Sequence, residues 1–277
     1  MFTNSCLRMY GKVNEMKDYF YDSYRMADFY DDMYNYTADL ELWYDFIDEK
    51  IKVLEIACGS GRMTTRILKK YPDISLTAMD YSQEMLDLLE EKVKDKNYPN
   101  LKIKCADMRQ FDFGETYDVI VIASNSLNHI ETYEDLEDTF NCFRKHLRRG
   151  GYIIFDLLNP KAIFFERDEN TRYGKTLFLQ RKTGRNFLYE ESNKYDPATQ
   201  INKVRYYFRY CDIHFHETDD KEYIMDMNVR LYYPQEFDYF LKKNDFVILG
   251  KYDWYDRRRF TGERGEQIYV VQPKDNR

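Results

Sequence analysis

The 277-residue chain has no apolar run approaching the roughly 18 residues that a membrane span needs; its best stretches, Val119–Ala123 and Ile153–Leu158, are the length of strands. Met1–Tyr10 lacks the apolar segment of a secretion signal. No C-x-x-C pair occurs, and the five cysteines (Cys6, Cys58, Cys105, Cys142 and Cys211) are odd in number and scattered. That pattern argues against a disulfide framework or a zinc site and for reduced thiols in a cytoplasmic protein. Positive charge is not in excess: 42 Lys plus Arg face 49 Asp plus Glu, for a net charge of −7. Proteins that hold nucleic acid by its phosphates usually carry the opposite sign, so neither a nucleic-acid nor a membrane partner is expected. Internal repeats and low-complexity linkers are also missing. What is present, 43% hydrophobic and 33% charged residues, suffices to bury a core. The 17% aromatic content, with 27 Tyr and 19 Phe, reads first as compositional bias.

The first ~50 residues space their apolar side chains three and four apart over Met16–Tyr24 and Leu40–Ile47, which predicts helices. From Ile51 the rhythm changes. Strands are expected at Ile51–Ala57, Ile74–Met79, Leu101–Ala106, Tyr117–Ala123 and Tyr152–Leu158. Helices are expected at Arg62–Lys70, Ser82–Lys94 and Tyr133–Leu147, the last ending in Arg148-Arg149-Gly150-Gly151. Strands alternating with helices predict βαβ units and a parallel sheet. After Asn159-Pro160, three segments (Asn186–Tyr195, Ile201–Cys211 and Tyr223–Leu231) read as an antiparallel meander. A helix opened by Pro234 and strands Phe246–Tyr252 and Gln267–Gln272 then close the fold. The expected architecture is one α/β domain, residues 1–158 and 232–277, with a seven-stranded, mostly parallel sheet and helices on both faces. An antiparallel cap, 159–231, is inserted after the fifth strand.

Cys58-Gly59-Ser60-Gly61 lies at the first strand-to-helix turn, where glycines admit a ligand to the backbone and helix N-terminal amides favour negative charge. Asp80 follows Gly61 by 19 residues at the end of the second strand, where a carboxylate can accept both hydroxyls of a ribose. Two kinds of ligand fit such a site. A dinucleotide would call for G-x-G-x-x-G, but Thr64 stands at the third glycine position and an acidic residue, Glu55, precedes the loop.

Glu55-Ile56-Ala57-Cys58-Gly59-Ser60-Gly61 resembles motif I of the class I S-adenosylmethionine (SAM)-dependent methyltransferases. Ala78-Met79-Asp80-Tyr81-Ser82-Gln83-Glu84-Met85-Leu86 resembles their second motif, and Cys105-Ala106-Asp107-Met108 the segment beside the adenine. Tyr117–Ala123 resembles the fourth strand and Leu147–Tyr152 the turn before the fifth. The resemblance runs in order from Ile51 to Leu158 and implies a Rossmann-like fold. More loosely, Phe29-Tyr30-Asp31, the meander and the closing strands resemble small-molecule N-methyltransferases, including amino-sugar N,N-dimethyltransferases. The implied cofactor is SAM, leaving as S-adenosylhomocysteine, with no metal. Gly59 and Gly61 would pass its methionine portion, Glu55 would order the loop, and Asp80 would take the ribose hydroxyls. Met85 and Met108 would flank the adenine, Asp107 would bond its exocyclic amine, and Ala123 would end beneath the sulfonium. Tyr30, Ala57 and Tyr81 complete the implied cofactor contacts.

The acceptor side is sought where the fourth strand opens, at Ser124-Asn125-Ser126-Leu127-Asn128-His129. His129 falls where the amino-sugar relatives also carry a histidine and is the candidate catalytic residue. Base-methylating enzymes often carry N-P-P-Y there; this segment does not, which again argues against nucleic acid. His214-x-His216 lacks a third metal ligand nearby, and Arg257-Arg258-Arg259 reads as a solvated loop. The expectation is methylation of a small molecule, at an amine nitrogen, by a monomer or homodimer. Its rivals are a catalytically silent SAM-binding module and a nucleotide-dependent oxidoreductase.

Overall fold

In the computed structural model, which describes residues 27 and 29–274, the described residues start with two short helices, α1 (Tyr30–Met33) and α2 (Leu40–Tyr44). Alternation follows: β1 (Lys52–Ile56), α3 (Thr64–Lys70), β2 (Ser75–Asp80), α4 (Gln83–Val93), β3 (Leu101–Cys105), β4 (Tyr117–Ile122), α5 (Tyr133–His146) and β5 (Leu147–Leu158). Ser82 caps α4 by accepting from the Met85 amide at 3.2 Å, and Thr132 caps α5 by accepting from Asp135 at 3.1 Å. After a short α6 (Ala162–Glu166) come β6 (Tyr173–Gln180), β7 (Arg185–Asp196), β8 (Ile201–Cys211) and β9 (Glu217–Arg230). The chain closes with α7 (Pro234–Lys243), β10 (Phe246–Tyr252) and β11 (Glu266–Pro273).

The main sheet has the order β10-β11-β5-β4-β1-β2-β3. Its pairings are parallel from β3 through β5; β11 runs antiparallel to both β5 and β10. Strand residues alternate between two buried layers, as a period of two requires. Leu54, Ile56, Ile120, Ile122, Ile153 and Phe155 pack under α5 and α7 with Phe140, Phe143, Phe237 and Leu241. Val53, Val119, Val121, Ile154 and Ile268 face Trp43, Ile67 and Leu68 of α2 and α3. Towards the carboxyl ends of the strands this second face turns polar, with Glu55 on β1 and Asp156 on β5.

The second sheet, β6-β7-β8-β9, is antiparallel throughout. Its inner face, including Phe187, Val204, Tyr206, Phe208 and Met225, packs on Phe29, Met85, Leu88 and Leu158. It is also tied to the turn after β4: Asn128 donates to the Arg230 carbonyl at 2.6 Å and accepts from the Leu158 amide at 3.0 Å. The inserted sheet therefore sits at the carboxyl ends of the parallel strands, where open α/β sheets bind ligands.

Several expectations need correction. The insertion has four strands, not three: β6 was not foreseen, because Tyr173–Gln180 is largely exposed and lacks a clean apolar alternation. The expected helix Arg62–Lys70 begins at Thr64, after a turn. Leu40–Ile47 is helical only to Tyr44. Residues 147–151 belong to β5, not to a helix end, because Leu147 already pairs with Tyr117. Gly151 is demanded by strand contact, since a Cβ there would lie 2.9 Å from the Asp118 carbonyl oxygen. The helix expected at Met16–Tyr24 lies outside the described residues.

Candidate functional site

The turn after β1 reverses direction with three left-handed residues in five: Ala57 (φ 54°), Gly59 (φ 55°) and Gly61 (φ 81°). Ala57 adopts this conformation without glycine's freedom, a strain of the kind that clusters at ligand sites. The Cys58 amide binds the Met79 carbonyl at 3.0 Å, knitting the turn to the end of β2. There the Asp80 carboxylate accepts from the Gly59 amide at 2.7 Å and from the Ser82 amide at 2.9 Å. One side chain thus holds both the glycine turn and the start of α4. Burial raises its pKa, while the N–H bonds it accepts pull the other way. A carboxylate offers about four lone-pair positions, so acceptor capacity remains for a ligand's hydroxyls.

Glu55 is 2% exposed and accepts from the Thr64 hydroxyl at 2.7 Å, joining β1 to the first residue of α3 beneath the turn. Burial pushes its pKa up to about 7. Gly61 serves close approach, whereas Gly59 is set by its left-handed backbone. A Cβ at Gly61 would lie 2.3 Å from Leu89 Cδ1 on α4, and one at Gly59 would face the Tyr30 ring at 3.8 Å.

Beside the turn lies a buried ion pair that the sequence did not reveal. Arg62, 9% exposed, meets fully buried Asp39 through Nη1 at 2.9 Å and Nη2 at 2.6 Å. Trp43 Nε1 donates to the same carboxylate at 3.0 Å, and Arg62 Nη2 also reaches Ser124 Oγ at 3.0 Å. The guanidinium lies 4.3 Å from the centre of the Tyr36 ring. Nothing in the local pattern distinguishes Arg62 from a solvated residue at a helix start.

At the exit of β4, Ser124 (φ 62°) and Asn125 (φ 60°) are both left-handed. Fully buried Asp156 secures them, accepting from their amides at 3.2 and 2.6 Å and from the Tyr255 hydroxyl at 2.7 Å. Burial lifts its pKa to about 6; Glu266, under the combined effect of burial and the Asp156 charge, rises to about 8. A lone acid inside the apolar strand Tyr152–Leu158 was a visible signal of this role.

His129 ends the 3₁₀ turn Ser126–His129, and its Nδ1 lies 3.2 Å from the Asn228 carbonyl of β9. A carbonyl can only accept, so Nδ1 carries the proton and Nε2 is the basic nitrogen. Burial lowers the pKa, which keeps the ring neutral at pH 7.

The other expected cofactor residues are spread along the carboxyl ends of β2, β3 and β4. Tyr81 is 50% exposed, whereas Met85 is 2% exposed and packs into the inserted sheet's core. Asp107 is buried, and both its oxygens accept from Arg109, at 2.6–3.0 Å. Met108 packs on the α5 side of the main sheet, and the Ala123 carbonyl accepts from Ser126 Oγ at 2.7 Å. Among the described residues no group of three or more His, Cys, Asp or Glu could hold a metal ion, and no helix is long and apolar enough to cross a membrane.

Residues 53–151 match the family model described as a methyltransferase domain. Among curated relatives, a malonyl-[acyl-carrier protein] O-methyltransferase of Priestia megaterium is 30% identical over 115 residues, 42% of this chain and 39% of that protein. Matches to such relatives cover 39–66% of their lengths, so the chain spans about half of the curated proteins it resembles. Solved structures match more fully. An S-adenosylmethionine-dependent methyltransferase from Clostridium acetobutylicum superposes with a TM-score of 0.71 at 23% identity, covering 90% of this chain and 98% of that one. The sugar N-methyltransferase KedS8 from Streptoalloteichus gives 0.65 at 15% identity, covering 87% and 90%. The fold is that of the class I SAM-dependent methyltransferases.

Proposed function

We propose that the protein transfers a methyl group from SAM to a small-molecule acceptor, at an amine nitrogen, with amino sugars as the acceptor class the motif resemblance suggests. The observation that carries this reading is the Asp80 carboxylate, which binds the Gly59 and Ser82 amides at the point where β1 and β2 end. That arrangement presents an acceptor for ribose hydroxyls beside a turn whose backbone a ligand can approach. The dinucleotide alternative is weakened by Thr64, whose hydroxyl is committed to Glu55 where a third glycine would be needed.

SAM, when bound, supplies an electrophilic methyl group on a sulfonium. In this reading Gly59 and Gly61 line its methionine portion with Ala57 and Tyr30, while Glu55 keeps the turn in shape. Asp80 accepts from the ribose, Tyr81, Met85, Asp107 and Met108 surround the adenine, and Ala123 underlies the methyl. The remaining task is to present a nitrogen lone pair in line, about 3 Å from the methyl carbon. That nitrogen must be neutral, and the unprotonated Nε2 of His129 is suited to accept its proton or to orient it. The sheet of residues 159–231 would cover the acceptor.

Calorimetry with SAM, S-adenosylhomocysteine and NAD tests the cofactor; methyl transfer to a panel of amines then separates an enzyme from a silent binding module. In His129→Ala, turnover should fall by about 10²-fold with SAM affinity unchanged. An unaltered rate removes His129 from the mechanism. Methylation of an oxygen acceptor is the second reading, favoured by the Priestia relative; carboxylate and hydroxyl acceptors in the same panel decide it. We also assign the protein to the cytoplasm, as a monomer or homodimer.

A further inference from the structure

We infer that Asp31, on α1, and Arg181, on the inserted sheet, are positioning residues for the cofactor: together they hold Tyr30 against the glycine turn. The inference rests on the reading that SAM occupies that turn.

A helix of four residues has no stability of its own, so its placement is set by what its side chains grip. The grips of α1 reach two bodies, the inserted sheet and the glycine turn with α4. Phe29, just before it and 2% exposed, stacks on Phe208 at 4.6 Å and tilts against Phe187 at 4.9 Å, inside the inserted sheet's core. Asp31 reaches the opposite way. It accepts from Ser60 Oγ at 2.5 Å and pairs with Lys92 Nζ at 2.5 Å, while Lys92 donates to the Ser60 carbonyl at 2.7 Å. Ser60 lies between the two glycines, so this triangle joins α1 directly to the turn and to α4. Asp32 faces back to the insertion: Arg181, the first residue after β6, donates through Nε to its carboxylate at 2.7 Å. Arg181 Nη2 also donates to the Asp31 carbonyl at 2.8 Å.

Tyr30 is carried between these anchors, with ring atoms 3.8 Å from where a Gly59 Cβ would stand. Burial raises its phenol pKa well above the ordinary value, so it remains a neutral donor. A cavity of about 410 Å³ opens beside this strap, lined among others by Asp31, Asp32, Arg62, Lys92 and Arg181. Neither Gly59 nor Asp80 is part of that lining. On this flank Asp31 and Asp32 tie α1 to the turn, to α4 and to Arg181, while Phe29 anchors it in the inserted sheet's core. In this inference the wall at Gly59 depends in part on Arg181, in the turn after β6, through its bonds to α1.

The two ends differ in strength. Arg181 is 62% exposed in its side chain and its partner Asp32 10%, so water screens that pair; Asp31 and Lys92 are both at 32%, with the Ser60 bond in addition. The dissociation constant for S-adenosylhomocysteine is expected to rise about 10-fold in Asp31→Ala and about 3-fold in Arg181→Ala. In turnover, KM for SAM should rise by similar factors while kcat changes less than 2-fold, because the transfer geometry at β4 is untouched. Thermal midpoints should hold. The charge-swapped double variant Asp32→Arg/Arg181→Asp should recover most of the affinity that Asp32→Arg alone loses.

The inference is overturned if Asp31→Ala and Arg181→Ala both bind S-adenosylhomocysteine like the wild type. It is equally overturned if kcat and thermal midpoint fall in step with affinity, the mark of a merely structural role. If the wild-type protein itself binds no S-adenosylhomocysteine, the cofactor reading fails and the inference with it.

Discussion

Replacing Asp80 by Asn tests whether its carboxylate serves the glycine turn alone or also a ribose. In the wild type its two oxygens accept separately from Gly59 at 2.7 Å and Ser82 at 2.9 Å. An asparagine has one acceptor oxygen, so one of these amides would face an NH₂ group, donor against donor. Hydrogen bonds to a charged acceptor contribute about 1.5–3 kcal/mol each, and leaving a buried N–H unsatisfied costs about as much. The turn alone should therefore weaken cofactor binding by about 2 kcal/mol, roughly 30-fold in the dissociation constant. The informative quantity is a coupling energy. Calorimetry would compare S-adenosylhomocysteine with analogues lacking the 2′- or 3′-hydroxyl, on the wild type and on Asp80→Asn. If Asp80 accepts from the ribose, removing a hydroxyl costs the wild type about 10-fold more than the variant, a coupling of about 1.4 kcal/mol. Equal losses on both proteins would confine Asp80 to the turn and refute its assignment to the ribose.

Gly61→Ala should lower stability by about 1–3 kcal/mol, since the new methyl would overlap Leu89 at a positive φ; Leu89→Ala in the same chain should relieve the overlap but not the backbone strain, as denaturant titration would show. Asp39→Ala strands the Arg62 guanidinium in a nearly closed site and should cost about 3–5 kcal/mol, whereas a loss under 1 kcal/mol would mean that water replaces the carboxylate. Glu55 has a raised pKa, so its protonated form is favoured by folding: its contribution is full below about pH 4.5 and is lost as pH rises through about 7. Glu55→Gln should accordingly gain stability relative to the wild type between pH 5 and pH 8, by up to about 3 kcal/mol, and a pH-independent difference in unfolding free energy would contradict the burial argument.

The parallel core was readable because β1, β2, β4 and β5 are largely apolar and β3 alternates, each set off by a turn or a helix, with Ser82 and Pro234 marking helix starts. The glycine turn and Asp80 were equally readable, since short-range spacing places both at strand ends. What escaped depends on partners distant in sequence. Arg62 is buried only because Asp39 and Trp43 come to meet it from the preceding segment. β6 is an edge strand whose exposed residues carry no periodic signal. The orientation of His129 is set by a carbonyl 99 residues further along, which no local motif encodes.

The antiparallel bond between β5 and β11 has a consequence for how the chain is made. Ile153 pairs with Val271 and Leu158 with Glu266, across the whole inserted sheet and α7. Until residues 266–273 emerge from the ribosome, β5 is an open strand edge whose Ile153, Ile154, Phe155 and Leu157 are fully buried only in the finished protein. Such edges recruit other strands, and contacts this distant in sequence form late. The nascent chain must therefore keep a sticky, nearly complete sheet in solution while it synthesises more than one hundred further residues. Interruption of synthesis before β11 would leave a product prone to aggregation even though every residue from Gly59 to His129 is already in place.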